Sequence, residues 1–109
     1  EIPILTAVVQ TPDMEGLRSM VDFLRDKLDS GVIVLGSVYG DKVNFVSSVS
    51  KDLNKKGIHA GNIIKEVAKI AGGGGGGRPD MAQAGGKNPS KIHEALSHVG
   101  NLVALQKKK

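Results

Sequence analysis

Residues 32–49 read VIVLGSVYGDKVNFVSSV. Two β-branched, apolar runs, residues 32–39 and 42–49, flank Gly40-Asp41. Glycine first in a two-residue connection supplies the positive φ that a tight hairpin needs. The stretch predicts two antiparallel strands. Upstream, residues 2–9 (IPILTAVV) read as a buried strand. Thr11-Pro12 then supplies a cap and a proline suited to the first helical position. Leu17, Val21, Leu24 and Leu28 recur at helical spacing, and Gly31 can close that helix in a left-handed conformation. A helix joining the first two strands favours a parallel, right-handed crossover.

Downstream, residues 51–57 (KDLNKKG) read as a polar turn. A second helix is expected from about His59 to Ala71, with Ile63, Ile64, Val67, Ala68, Ile70 and Ala71 as its apolar stripe. Residues 72–86, GGGGGGRPDMAQAGG, follow. Asn88-Pro89 repeats the helix-start signal, and Ile92, Ala95, Leu96, Val99 and Val103 line a third helix. Gly100 weakens that helix, and the lysines of residues 107–109 suit its C-terminus. The expected fold is α/β: a small mixed sheet in the order β-α-β-β-α-loop-α, packed by helices. Residues 1–109 are expected to form one globular domain with a glycine-rich loop at 72–87.

The loop concentrates 8 of the 15 glycines, so the rest of the chain has ordinary composition. Six glycines in a row resist a fixed structure, yet they let a ligand approach the backbone closely. Arg78, Pro79, Asp80, Met81 and Gln83 interrupt the run, which a plain linker does not require. Charge is uneven. Residues 1–54 carry 5 Lys/Arg and 8 Asp/Glu, whereas residues 55–109 carry 10 and 3. A basic second half points to a polyanion partner. The absence of cysteine excludes disulfides and thiolate metal sites and fits a reducing compartment. No apolar run approaches the length of a membrane span, and the start lacks both Met and a signal pattern, so the chain reads as part of a longer protein.

Catalytic patterns fail. A phosphate-binding GxxxxGK[ST] would need a serine or threonine at Asn88 and a glycine at Met81. Gly72, Gly74 and Gly77 match GxGxxG only as any glycine run does. His93 and His98 stand five apart, the wrong spacing to clamp one metal from one helix, and His59 reads as a local helix-start residue. No metal, cofactor or catalytic site is expected within these residues. The loop keeps one plausible task. Free N–H groups of Gly74, Gly75, Gly76 and Gly77 can form an anion-binding concavity. Arg78 adds a guanidinium fork and Lys87 a second cation beside the Asn88-Pro89 helix start. Lys51, Lys55 and Lys56 are further candidates, while Met81, Ala82, Gln83, Ala84, Gly85 and Gly86 are expected to pack the loop onto the core. The three aromatic residues all fall in predicted helix or strand, so a broad base-stacking platform is not expected.

Residues 76–86, GGRPDMAQAGG, with His59-Ala60-Gly61 opening the preceding helix, closely resemble the C-terminal domain of alanyl-tRNA synthetase. Related domains follow the catalytic part of DHH-type phosphoesterases, which commonly place a histidine where this chain has Arg78. The resemblance implies a DHH-associated-domain-like fold that binds the outer corner of tRNA, with alanine tRNA the expected partner. It implies contacts with the aminoacylation and editing parts of a cytoplasmic ligase. The ATP and zinc of that parent enzyme would lie outside this chain, as would the coiled-coil-like arm that pairs subunits in many members. Two alternatives stand beside it: an accessory domain of a DHH-type phosphoesterase binding other nucleic acid or a nucleotide, and a dimerisation or docking module.

Overall fold

The structure is a computed structural model that describes residues 2–11 and 13–107. The helix-start role expected of Pro12, and Lys108 and Lys109 of the basic tail, lie outside the described residues. The elements are β1 (Ile4–Val9), α1 (Met14–Lys27), β2 (Val32–Tyr39), β3 (Lys42–Val49), α2 (Lys51–Asn54), α3 (Ala60–Ile70), β4 (Gly74–Gly77), β5 (Met81–Gly86), a 3₁₀ turn (Pro89–Lys91), α4 (Ile92–Ser97) and α5 (Val99–Lys107). They build one five-stranded sheet in the order β1-β2-β3-β5-β4. β1 runs parallel to β2, and every other neighbouring pair is antiparallel. The β2–β3 hairpin turns where expected, with Gly40 at φ 65°.

The main correction concerns residues 72–87. They are not a loop. Gly74–Gly77 and Met81–Gly86 form an antiparallel hairpin that extends the sheet beyond β3. Glycine is a poor strand former on its own. Two neighbours hold it here: β5 supplies the hydrogen-bonded ladder, and α3 covers one face of both strands.

Alternation along β2 and β3 sends side chains to two cores. Val32, Val34, Val43, Phe45 and Val49 meet Ile63, Ile64 and Val67 of α3, with Ile92, Leu96, Val99 and Val103 of the C-terminal helices. Ile33, Leu35 and Val46 meet Leu17 and Val21 of α1 on the opposite face. Full burial of each such side chain contributes about 1.5–3 kcal/mol relative to exposure. Ser47 is buried without penalty because its hydroxyl donates to the Ala60 carbonyl at 3.0 Å.

Several local expectations change. β1 is an edge strand and not a buried one: Ile4, Leu5 and Val8 are each close to 40% exposed. Apolar composition alone does not separate an edge from a centre. α1 is capped by Asp13, whose Oδ1 accepts from the Gly16 amide at 2.8 Å, in place of Thr11. It ends at Lys27, where the Leu28 amide returns to Leu24 and Arg25 carbonyls, before Gly31 is reached. Gly31 instead exchanges hydrogen bonds with Ser50. The polar turn holds a short helix, α2. The third helix is divided at His98 into α4 and α5 after a 3₁₀ start. No helix among the described residues is long and apolar enough to cross a membrane.

The packing of α3 against β4 can be probed directly. A Cβ on Gly61 would stand 2.8 Å from the Gly77 carbonyl oxygen, whereas one on Gly76 would meet nothing within 4 Å. Gly61→Ala is expected to destabilise by about 1–3 kcal/mol and Gly76→Ala by less than about 0.5 kcal/mol, read by thermal denaturation. Asp52 is held below the usual carboxylate range, first by the Ser30 hydroxyl at 2.6 Å and then by that of Ser50. A depressed folded pKa means the stabilisation is complete above the ordinary carboxylate value and is lost as pH falls through the folded one. Asp52→Asn should therefore reduce the acid-side slope of stability against pH, measured by denaturant melts between neutral and strongly acidic pH.

Candidate nucleic-acid interface

The helix α3 ends in a left-handed turn that starts the glycine strand. Gly72, at φ 76°, donates to the Lys69 carbonyl at 3.1 Å, and Gly73 donates to that of Ala68 at 2.8 Å. This paired closure turns the chain back along the helix it has just left. The glycines that follow divide into two sets. On the side facing α3 and β5, a Cβ on Gly73 would strike the Gly85 carbonyl, and one on Gly75 would strike Ala84. One on Gly77 would lie 2.9 Å from Ala82 Cβ. Packing therefore accounts for glycine at these three positions. At Gly74 and Gly76 the same atom meets nothing within 4 Å. No packing reason exists for glycine at either position.

Gly74 and Gly76 belong to the sheet face that α1 serves, where their strand partners are Gly85 and Gln83. The helix α1 packs chiefly on β2 and β3. The sheet is therefore open beyond β3, presenting Gly74, Gly76, Gly85 and Gln83 beside Asn44 and Lys42. Gln83 is exposed on this face and does not pack the strand onto the core. Ala82 and Ala84, on the other face, are buried in the α3 core, and Met81 packs against the α1 core.

The basic residues sit at the two ends of this face. Lys42 and Lys87, with Gly73, Gly74, Gly85 and Gly86, line a shallow depression of about 340 Å³. The Lys87 backbone is fixed there by its amide, which donates to the Ala71 carbonyl at 2.9 Å. Arg78 lies at the opposite end, in the turn between β4 and β5. That turn is pinned: the Pro79 carbonyl accepts from the Ala60 amide at 2.8 Å and from Asn54 Nδ2 at 2.9 Å. The Arg78 side chain itself is 77% exposed, 3.7 Å from Asp80, an ion pair too solvated to hold it. Lys51, Lys55 and Lys56 belong to α2 and the turn after it, at this same end.

The expected single cluster of Arg78 and Lys87 is thus divided. A hairpin keeps its turn and its open end apart by the length of its strands, about 3.3 Å per residue. The expected concavity of free amides is likewise a strand: pairing with β5 uses part of the β4 backbone, and the rest lies along the sheet edge. The helix start at Asn88 is a 3₁₀ turn whose Asn88 side chain makes no cap bond. Lys42 was not marked by the sequence, because a residue opening a hairpin strand comes beside Lys87 only once β5 pairs with β3. His59 caps α3 by accepting from the Asn62 amide at 3.2 Å, and its neighbour Ala60 anchors the Arg78 turn. Among the described residues no three His, Asp or Glu side chains gather closely enough to hold a metal ion.

Comparison with known proteins places this arrangement. Residues 1–105 match the DHHA1 domain family. The chain is 62% identical over 106 residues to the alanine–tRNA ligase of Desulforamulus reducens and 57% identical over 102 residues to that of Bacillus subtilis. These alignments take in 97% and 94% of this chain but only 12% of each relative, so the chain spans a small part of their length. The C-Ala domain of Aquifex aeolicus alanyl-tRNA synthetase superposes with a TM-score of 0.86 at 38% identity, covering 95% of this chain and 93% of that one. A DHH-domain protein described as a member of a family of ribosomal proteins shares the fold, with a TM-score of 0.60 at 19% identity, over 94% of this chain and 26% of that one.

If the depression holds a phosphate backbone, Lys42→Ala and Lys87→Ala should each flatten the dependence of log affinity on log salt. The expected change is roughly 0.7–0.9 per lost contact, followed by anisotropy of a labelled RNA. A slope unchanged in both variants would remove the depression from the interface.

Proposed function

The chain belongs to the DHHA1 domain family, in the branch of the alanyl-tRNA synthetase C-Ala domain, and from that premise we propose that it binds tRNA on the open glycine face. The observation that carries the proposal is the pair Gly74 and Gly76. Nothing in the packing requires glycine at either place, and both lie on a bare sheet between cations at each end. A strand without side chains lets a sugar–phosphate backbone approach the sheet closely. Lys42 and Lys87 meet it at one end, with Arg78 and the α2 lysines at the other. Such contacts fix position and shape and carry little sequence information.

The partner in this reading is tRNA bound at its outer corner, with the domain holding one molecule for both aminoacylation and editing by a cytoplasmic alanine–tRNA ligase. ATP use and zinc binding are assigned to the rest of that enzyme. The residues here supply shape and charge and take no part in bond making.

The test compares binding of folded tRNA, single-stranded DNA and duplex RNA at two salt concentrations. A preference for folded tRNA is expected, and equal affinity for all three would reduce the domain to a general polyanion binder. Arg78→Ala should weaken tRNA binding several-fold, whereas Arg18→Ala, on the exposed side of α1, should not. Equal losses from both would mean diffuse charge and no defined face.

A further inference from the structure

We infer that Tyr39 is a base-stacking contact of this same RNA-binding face, an inference that rests on the tRNA-binding reading. Tyr39 ends β2 and is 63% exposed, although strands of this sheet bury most of their large side chains. It stands directly across from Lys42 in the β2–β3 register, on the sheet face that also carries Gly74, Gly76 and Gly85. Lys42 lines the depression it shares with Lys87. On its other side Tyr39 lines a second shallow depression with Gln10, Thr11 and Val38. The ring therefore stands between a hollow bordered by two lysines and a second, mostly apolar one, at the corner where the glycine face ends.

This combination suits a nucleotide more than a protein side chain. The two lysines take phosphate, and the ring offers a π face to a base that is unstacked or that ends a stack. Recognition by one ring matches the scarcity of aromatics: a single stacking contact at the rim orients an RNA whose backbone lies across the glycines. Phe23 is similarly exposed, but it lies on α1 in an apolar patch with Met20 and Leu24 and under the Lys27 ammonium, away from the glycine strands.

The chain has one tyrosine and no tryptophan, so its intrinsic emission reports this site alone. Titration of the protein with folded tRNA should quench that emission. Tyr39→Ala should lower tRNA affinity about tenfold with the salt slope unchanged, because stacking releases no counterions. Tyr39→Phe and Tyr39→Trp should retain affinity, and Phe23→Ala should match wild type. Unquenched emission, with Tyr39→Ala binding as tightly as wild type while Arg78→Ala and Lys42→Ala bind less tightly, would overturn the stacking contact and leave tRNA binding in place. Wild-type protein that fails to bind tRNA at all would overturn both. Because Tyr39 is largely exposed, the alanine variant is expected to melt with wild type, which circular dichroism checks.

Discussion

The structure depends on one close approach, that of helix α3 to strand β4. Side chains normally hold a helix away from a strand. Here Gly61 meets the Gly77 carbonyl with no room for a Cβ between them, and on the strand side Gly75 and Gly77 fit equally closely against Ala84 and Ala82 of β5. The approach lets the Ala60 amide reach the Pro79 carbonyl and so fixes the β4–β5 turn. It also accounts for the three residues that open the helix: His59 caps, Ala60 donates to the turn and Gly61 makes space. A larger residue at 61 would push the helix off the hairpin and release the turn that carries Arg78.

That same approach creates the open face. A hairpin held from below by α3 needs no cover from above, and α1 already has its place over β2 and β3. Apart from Met81, the upper face of β4 and β5 is then uncovered, and its composition is free to serve a ligand. Glycines 74 and 76 differ from 73, 75 and 77 in what a side chain there would meet. A Cβ on either of the first pair would point into open space, and one on any of the second set would strike packed atoms. An unbroken glycine run conceals two distinct requirements that alternate with the pleat.

Much of the frame was legible beforehand. The hairpin of residues 32–49, the parallel crossover and the apolar stripe of α3 all follow from patterns of apolar residues and one well-placed glycine. The glycine hairpin was not legible, because local preference opposes it. Six glycines look like disorder until a helix and a partner strand hold them, and neither is local. MAQAGG does show small residues alternating with Gln83, but six residues of period two are too few to outweigh the glycines. The edge position of β1 escaped for a related reason, since composition reports apolarity and not neighbours. At the candidate site, the glycines, Arg78 and Lys87 stood out by residue type. Their separation, and the arrival of Lys42, Asn44 and Tyr39 on the same face, depend on the β3–β5 register. Charge and glycine can be seen in a sequence, whereas adjacency across strands cannot.

The ordering of the hairpin also bears on how a ligand would be held. Glycine loses more conformational freedom than any other residue when it becomes ordered, on the order of 1–2 kcal/mol per residue for the backbone. A flexible loop would meet that cost on binding and weaken the complex by it. Here the ladder with β5, the helix-end bonds at Gly72 and Gly73 and the pinned Pro79 turn meet it during folding. The face is therefore set before any ligand arrives, and binding does not have to order it. In the proposed reading, such a preset surface with few side chains would discriminate by shape, accepting a backbone that curves with the sheet and rejecting one that does not. Exposed lysines alone would grip any polyanion, so in the tRNA-binding reading selectivity rests on the preset glycine strands between them together with the Tyr39 ring at their rim.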